Sequence, residues 1–386
     1  MKKIVVVIGS RANYSSIKSV LKGLKLSRSL ELYIICNTSS ISEKYGDVSE
    51  LIKSDGFDIY EKHFNLIEGK DIGSMARTTG FALLYLSNTF ENLKPDFVLT
   101  VGDRYETIAT ALAASYMNIP LIHTMGGEVS GTIDESIRHA ISKLSNIHFP
   151  ASEDAKNRLI KMGEDPSYIF NVGCPRIDLV DEILQSSLLT KDEIDFLQTN
   201  GVGAHLTFDN PFILVSQHPV TTEFDKQKKN IRSTISALDS VNIPKLVLWP
   251  NSDAGTDAIA QEYRIWRENG PRTDVRFYKN LPINIYVKLM NITKCLVGNS
   301  SSGIREGAFI GTPVVNIGSR QHNRECGRNV IHVDYDSSEI INAISEQLKK
   351  GKYDSDSIYG SGNAGTRISE IISDLELDNV QKNIGY

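Results

Sequence analysis

Short runs of apolar, β-branched residues recur along this chain, separated by longer stretches with helical spacing. In the first half the runs are Ile4–Ile8, Leu30–Cys36, Phe97–Val101, Leu121–His123 and Ile147–Phe149. In the second half they are Phe212–Ser216, Lys245–Trp249, Val275–Phe277, Cys295–Val297, Val314–Asn316 and Val330–Val333. Continuous rather than alternating apolar strands, each followed by a helical stretch, indicate βαβ units and parallel sheets covered on both faces. The pattern breaks at Asn171-Val-Gly-Cys-Pro175, and a polar, weakly ordered stretch is expected from Gln185 to Asn210. The chain therefore reads as an α/β protein of two Rossmann-like domains, roughly 1–170 and 176–365, facing a cleft. A helical period at Ile368, Ile371, Ile372 and Leu375 marks a final helix, with residues 366–386 expected to pack back across the hinge.

Composition changes this picture little. The 386 residues are 40% apolar and 23% charged, ordinary values for a globular chain long enough to bury two cores. A formal charge of -5 argues against nucleic acid as the main partner. Cys36, Cys174, Cys295 and Cys326 are widely spaced and suggest reduced, mostly buried thiols rather than disulfides or a metal site. The opening MKKIVVVIGSR carries too short an apolar run for a secretion signal and is better read as a buried strand. No stretch approaches the roughly twenty apolar residues of a membrane span, so a soluble, cytoplasmic protein is expected.

In open α/β sheets ligands gather where loops leave the carboxyl ends of strands. Here those segments hold nearly all the polar clusters: Gly9-Ser-Arg-Ala-Asn-Tyr-Ser15, Gly102-Asp-Arg-Tyr-Glu106, Gln217-His-Pro219, Pro250-Asn-Ser-Asp253 and Gly298-Asn-Ser-Ser-Ser-Gly303. The most crowded is Ile122–Lys143, which gathers His123, Glu128, Asp134, Glu135, Arg138 and His139 around Gly126-Gly127. Small residues and hydroxyls at a helix start suit an anion such as a diphosphate, although a serine-capped turn has the same composition. Arg11 and Arg104 offer guanidinium forks for phosphate. His218 could contact phosphate or move a proton near neutral pH. Asp103, Glu128 and Asp134 are carboxylates whose crowding would separate their pKa values into acid and base roles. Arg138, one turn beyond Asp134, either pairs with it or reaches the phosphates.

Taken together, these ordered motifs resemble the hydrolysing UDP-N-acetylglucosamine 2-epimerases of sialic acid and legionaminic acid synthesis. The resemblance rests on Gly9-Ser-Arg-Ala, Gly102-Asp-Arg-Tyr-Glu, Gly126-Gly-Glu-Val-Ser-Gly-Thr-Ile-Asp134, Ser136-Ile-Arg-His139, His218-Pro-Val-Thr-Thr-Glu223, Pro250-Asn251 and Gly298-Asn-Ser-Ser-Ser-Gly-Ile-Arg-Glu306. It implies a GT-B-like pair of domains and the reaction of UDP-N-acetylglucosamine with water to N-acetylmannosamine and UDP. The route implied is elimination to a 2-acetamidoglucal, then hydration with inversion at C2. The resemblance further implies no cofactor and no metal, a UDP-sugar substrate with neither nucleic acid nor membrane as partner, and a homodimer or homotetramer. Position by position, Arg11, Ser15, Arg104, His218, Asn251, Ser300, Ser301 and Glu306 match UDP-contacting residues of the family, and Leu281 falls where a backbone contact to uracil is expected. Asp103 and Asp134 match its catalytic carboxylates, while Glu128 is added from its place in the loop.

The chain also departs from that pattern. Many relatives carry a glutamate two residues after the position of His123, where this chain has Met125. A thioether neither takes nor gives a proton, so the sugar is left open between N-acetylglucosamine and a 2,4-diacetamido-2,4,6-trideoxy sugar. A non-hydrolysing epimerase, a glycosyltransferase of the same fold and a nucleotide-sugar sensor without catalysis, the last supported only by Met125, are the other readings. Asp257 and Asn280 replace basic residues that bind a CMP-sialic acid inhibitor in the animal enzyme, although Arg320 matches.

Overall fold

The computed structural model describes all residues except 43–46, 68–72, 131–132, 187, 251–254, 270–272, 378–379 and 383–386. The chain divides into two units, one built from Met1–Val129, Ile133–Leu179 and Gly360–Tyr386, the other from Val180–Tyr359.

The first unit alternates β1 (Lys2–Ile8), α1 (Arg11–Leu26), β2 (Leu30–Asn37), α2 (Val48–Ser54), β3 (Ile59–His63), α3 (Gly73–Leu93), β4 (Phe97–Val101), α4 (Thr107–Tyr116), β5 (Leu121–Thr124), α5 (Ile133–Leu144), β6 (Ile147–Phe149) and α6 (Glu153–Lys161), and the chain leaves it within α7 (Pro175–Leu184). Its strands form one parallel sheet in the order β3-β2-β1-β4-β5-β6. Val6 lies between Ile34 and Leu99, and all three are buried because helices cover both faces. The strand order reverses between β1 and β4, so the loops after these two strands diverge and leave a crevice at their carboxyl ends.

The second unit contains α8 (Lys191–Asn200), β7 (Val202–Gly203), β8 (Ile213–Ser216), α9 (Gln227–Asp239), β9 (Lys245–Leu248), α10 (Thr256–Glu268), β10 (Val275–Tyr278), α11 (Ile283–Ile292), β11 (Cys295–Gly298), α12 (Ser301–Ile310), β12 (Val314–Ile317), β13 (Val330–Val333) and α13 (Ser337–Lys350). Its sheet runs β13-β12-β11-β8-β9-β10-β7, parallel but for the short antiparallel edge β7. The reversal here lies between β8 and β11, where Gly298 stands opposite Ser216.

The last helix, α14 (Ala364–Asp374), returns to the first unit and lies against α1. The contact is close because Gly23 and Gly365 leave no room for a side chain. A Cβ on Gly23 would sit 2.6 Å from Ser369 Oγ, and one on Gly365 2.4 Å from the Ser19 carbonyl carbon. Ile368 and Ile372 then join Ile17, Val20, Leu21 and Leu24 in one core. Asn363 makes no side-chain cap to α14, so the Asp178 carboxylate satisfies its first amides, accepting from Ala364 (3.0 Å) and Gly365 (2.6 Å).

Two elements differ from the sequence expectation. Residues 59–63 form an edge strand whose outward residues are polar, so it lacks the continuous apolar signal of its neighbours. The stretch from Gln185 to Asn210, expected to be weakly ordered, holds α8 and β7. A capping box starts α8, with Thr190 accepting from the Glu193 amide and Glu193 from the Thr190 amide. The buried Arg276 guanidinium then ties the segment down by donating to the carbonyls of Leu197, Gln198 and Ala204.

Candidate active site

In the first unit the strand-end loops at the β1/β4 reversal are locked together before any ligand is considered. Ser10 caps α1, its hydroxyl accepting from the Asn13 amide at 3.2 Å. Asn13 is buried; its Oδ1 accepts from the Gly9 amide (3.2 Å) and its Nδ2 donates to the Val101 carbonyl at the end of β4 (3.2 Å). Arg11 then stands exposed at the start of α1, with Ser15 one turn on, its hydroxyl donating to the Ala12 carbonyl.

Gly102 ends β4 in a left-handed conformation, φ +74°, which turns Asp103 and Arg104 out of the sheet. Arg104 Nε donates to Glu106 Oε1 at 2.9 Å, and the Arg104 side chain keeps 45% of its surface exposed while Glu106 keeps only 2%. Burial pushes the Glu106 carboxyl above the usual range, and the Arg104 cation works against that shift. Asp134, in the first turn of α5, is near enough to raise Glu106 and Arg104 further.

Asp103 is paired. Arg138, only 2% exposed, donates from one end of its guanidinium to Asp103 and from the other to the Glu128 carbonyl at 2.7 Å. A charge-assisted fork of this kind fixes both the carboxylate and the loop it touches. α5 therefore carries Asp134 and Arg138 on neighbouring turns, while the loop before it brings Glu128, itself buried at 4%. Gly127, φ +78°, allows this loop to pass α6: a Cβ there would lie 2.3 Å from the Ala155 carbonyl. Arg158 Nη1 holds the same loop by donating to the Gly127 carbonyl at 2.6 Å.

His123 is fully buried, its Nε2 2.9 Å from the Gly102 carbonyl and its Nδ1 3.2 Å from Ser142 Oγ. Burial drives its pKa down to about 3, so the ring is neutral near pH 7 and must donate from Nε2 to that carbonyl. Met125 follows in a left-handed conformation, φ +62°, with its amide bonded to the Phe149 carbonyl at 2.9 Å and its side chain buried. A non-glycine residue in this region costs about 1–2 kcal/mol.

In the second unit the corresponding loops meet around Asn299, which is fully buried. Its Oδ1 accepts from the His218 amide (2.7 Å) and its Nδ2 donates to the His218 carbonyl (2.9 Å), joining the loops after β8 and β11. Arg320 and Gln321, after β12, both donate to the Asn299 carbonyl. Ser300 caps α12, and its hydroxyl bonds Ser302 Oγ (2.8 Å), which in turn bonds the Tyr286 hydroxyl (2.6 Å). Ser301 opens the helix and Glu306, 3% exposed, lies on it. Gly298, φ +138°, brings this helix start against β8, where a Cβ would meet the Ser216 carbonyl oxygen at 2.2 Å. Leu281 is half-buried just before α11. Asn251 and Asp253 lie outside the described residues.

Of the two roles expected for His218, phosphate contact and proton transfer near neutral pH, its surroundings disfavour the second. Burial, with a smaller contribution from Arg320, pushes it down to about 3, so it stands as a neutral imidazole suited to hydrogen bonding. Sequence reasoning also missed the roles of Glu106, Asn13 and Asn299. Their residue types are common in turns, and only tertiary contact separates a locking residue from a surface one. Among the described residues no group of three or more His, Cys, Asp or Glu is placed to hold a metal ion.

Residues 22–373 match the family model described as UDP-N-acetylglucosamine 2-epimerase. The chain is 38% identical over 377 residues to a UDP-N,N'-diacetylbacillosamine 2-epimerase (hydrolyzing) of Legionella pneumophila, covering 98% of this chain and 97% of that one. It is 31% identical over 385 residues to a UDP-N-acetylglucosamine 2-epimerase of Neisseria meningitidis, covering 98% and 97%. Among solved structures it is similar to the Neisseria meningitidis UDP-GlcNAc 2-epimerase bound to UDP-GlcNAc, with a TM-score of 0.79 at 19% identity, over 96% of this chain and 99% of that one.

Proposed function

The chain belongs to the UDP-N-acetylglucosamine 2-epimerase family, and we propose that it is a hydrolysing member acting on a UDP-linked 2-acetamido sugar. Water and the UDP-sugar give UDP and the free sugar inverted at C2. The observation that carries this reading is the grouping of Asp103, Glu128, Asp134 and Glu106 with Arg104 and Arg138 in one unit. A glycosyltransferase of the same fold has less reason to carry such a set of carboxylates.

The chemistry assigns work to each group. A carboxylate base removes the weakly acidic C2 proton while the C1–O bond breaks, its electron pair leaving on the β-phosphate oxygen of UDP. Cations stabilise the departing diphosphate, a role for Arg11 and Arg104, while His218, Asn251, Ser300, Ser301, Glu306 and the Leu281 backbone hold the nucleotide. Water then adds to C1 of the 2-acetamidoglucal as a proton returns to C2 on the opposite face. Asp103 and Asp134 serve these two proton transfers, supported by Glu128. The fork from Arg138 holds the Asp103 carboxylate in a fixed orientation. None of these steps calls for a metal or an organic cofactor.

For the sugar, we take UDP-N,N'-diacetylbacillosamine first, supported by the likeness to the Legionella relative along nearly the whole of both chains. The second reading is UDP-N-acetylglucosamine, supported by the Neisseria relative. Either product, a free 2-acetamido sugar of manno configuration, suits a pathway to sialic acid-type nonulosonates, run by a cytoplasmic homodimer or homotetramer. Incubation with each UDP-sugar in D2O, followed by proton NMR, tests this. Free sugar deuterated at C2 together with UDP is expected. A 2-epimer that stays nucleotide-linked, or no turnover of either substrate, refutes the hydrolysing assignment.

A further inference from the structure

The Glu106 carboxylate has no local reason to be where it is. It occupies the N-cap position of α4, a place where Asp, Ser or Thr would satisfy the helix amides, yet it makes no side-chain cap bond. Instead the side chain turns inward and is 2% exposed at the β1/β4 reversal. Besides its own amide, its one hydrogen-bond partner among the described residues is Arg104 Nε, and its second oxygen has none. A buried carboxylate with half its acceptors unused is costly to the fold. Burial accordingly drives its pKa upward against the pull of Arg104.

The loop above it makes way for this side chain. Gly9 is not in the left-handed region, so its backbone would accept alanine. What excludes a side chain is space: a Cβ would lie 2.7 Å from Glu106 Cγ and 3.2 Å from Glu106 Oε1. Two independent features, a helix cap forgone and a glycine without conformational need, thus serve the placement of one carboxylate. Its effect falls on Arg104, whose Nε edge is held while the rest of the guanidinium stays half-exposed at the strand ends.

We infer that Glu106 is a positioning residue that presets Arg104 for the diphosphate of the nucleotide sugar. The inference rests on the functional reading above, in which Arg104 receives that diphosphate. Preorganising a cation where charge accumulates removes the ordering cost at the moment of binding.

Binding of UDP by calorimetry and of uridine by ligand-observed NMR is to be compared for the wild type, Glu106→Gln, Gly9→Ala, Arg104→Ala and the two double variants with Arg104→Ala. Glu106→Gln is expected to weaken UDP about tenfold, the worth of one charge-assisted hydrogen bond, and uridine less than about twofold. Gly9→Ala is expected to reproduce this by displacing Glu106. In the Arg104→Ala background neither change is expected to weaken UDP further, because the residue they act through is gone. In turnover assays kcat/KM should fall at least as much as UDP affinity, with part of the loss in kcat, because Arg104 stabilises charge that develops on the departing diphosphate. Equal losses for UDP and uridine, or additive losses in the Arg104→Ala background, overturn the inference alone. If Glu106→Gln fails to fold, Gly9→Ala with and without Arg104→Ala decides the matter. Absence of UDP binding by the wild type overturns the functional reading and the inference with it.

Discussion

Replacement of Lys382 by methionine probes the buried charge cluster beneath α5. Lys382 Nζ donates to three carbonyls at the C-terminal end of that helix, those of Ser142 (3.2 Å), Lys143 (3.0 Å) and Ser145 (2.5 Å), and also to Glu164 Oε2. Glu164 is 1% exposed and keeps two further partners, Lys143 Nζ at 2.7 Å and His148 Nε2 at 2.9 Å. Stripping a buried ion of its sole partner costs about 3–5 kcal/mol. Two partners remain here and Lys382 is a quarter exposed, so about 1–2 kcal/mol is expected from the pair. Loss of a cation at a helix C-terminus adds roughly 0.5 kcal/mol. The total, about 2 kcal/mol, corresponds to a drop in Tm of about 4–8 °C for a unit of this size.

The pH dependence gives a second readout of the same variant. Burial pushes the Glu164 carboxyl up, yet the His148 hydrogen bond and the two ammonium groups hold it down at about 2, against 4.5 for the free group. A lowered carboxyl pKa means that the unfolded chain binds the proton more readily. The stabilisation is therefore complete above about pH 4.5 and is lost as pH falls toward 2. At 1.36 kcal/mol per unit this amounts to about 3 kcal/mol in the wild type, and less in Lys382→Met. Both tryptophans, Trp249 and Trp266, belong to the second unit, so fluorescence is blind to this change. Circular dichroism during urea unfolding, with amide exchange over residues 133–145, is the suitable assay. A loss below about 0.5 kcal/mol, or one matched by the exposed control Lys161→Met, refutes the reasoning.

Three further outcomes are expected. Asp103→Asn should lower turnover at least about 100-fold while UDP affinity stays within about threefold; a large loss of UDP binding would make Asp103 a structural partner of Arg138 instead. Gly298→Ala combines φ +138° with a Cβ 2.2 Å from a neighbouring strand's carbonyl oxygen, so it should cost more than about 3 kcal/mol; a variant melting within a degree or two of the wild type contradicts this. His123 and His218, both near 3, should show no titration by heteronuclear NMR between pH 5 and 8. Their depressed values mean that stability is lost as pH falls from about 6.5 toward 3, and a midpoint near 6.5 for either ring would refute the burial argument.

Much of the fold was legible because parallel strands buried on both faces leave continuous apolar runs, and all eleven runs read from the chain coincide with strands. The two strands without such a run, β3 and β7, are edge strands, where half the surface faces water and the periodic signal fades. The polar strand-end segments were legible for a related reason: in this architecture loops after strands share one end of the sheet. Asp103, Arg104, His218 and Ser300 could therefore be picked out by position.

What each of these groups does was decided elsewhere. Asp103 and Asp134 are both carboxylates near a flexible loop in the sequence, but only folding brings the buried Arg138 guanidinium onto Asp103. His218 has the same intrinsic pKa as any histidine until burial removes its water. Glu106 could pass for an ordinary helix-start acid until the fold turns it under Gly9 and onto Arg104. Fold class and the polar strand ends follow from periodicity and local order along the chain, and the family from the ordered motifs that resemble it. Protonation, pairing and positioning depend on desolvation and on partners up to 240 residues away, as with Lys382 and the Ser142 carbonyl, and no local pattern encodes those distances.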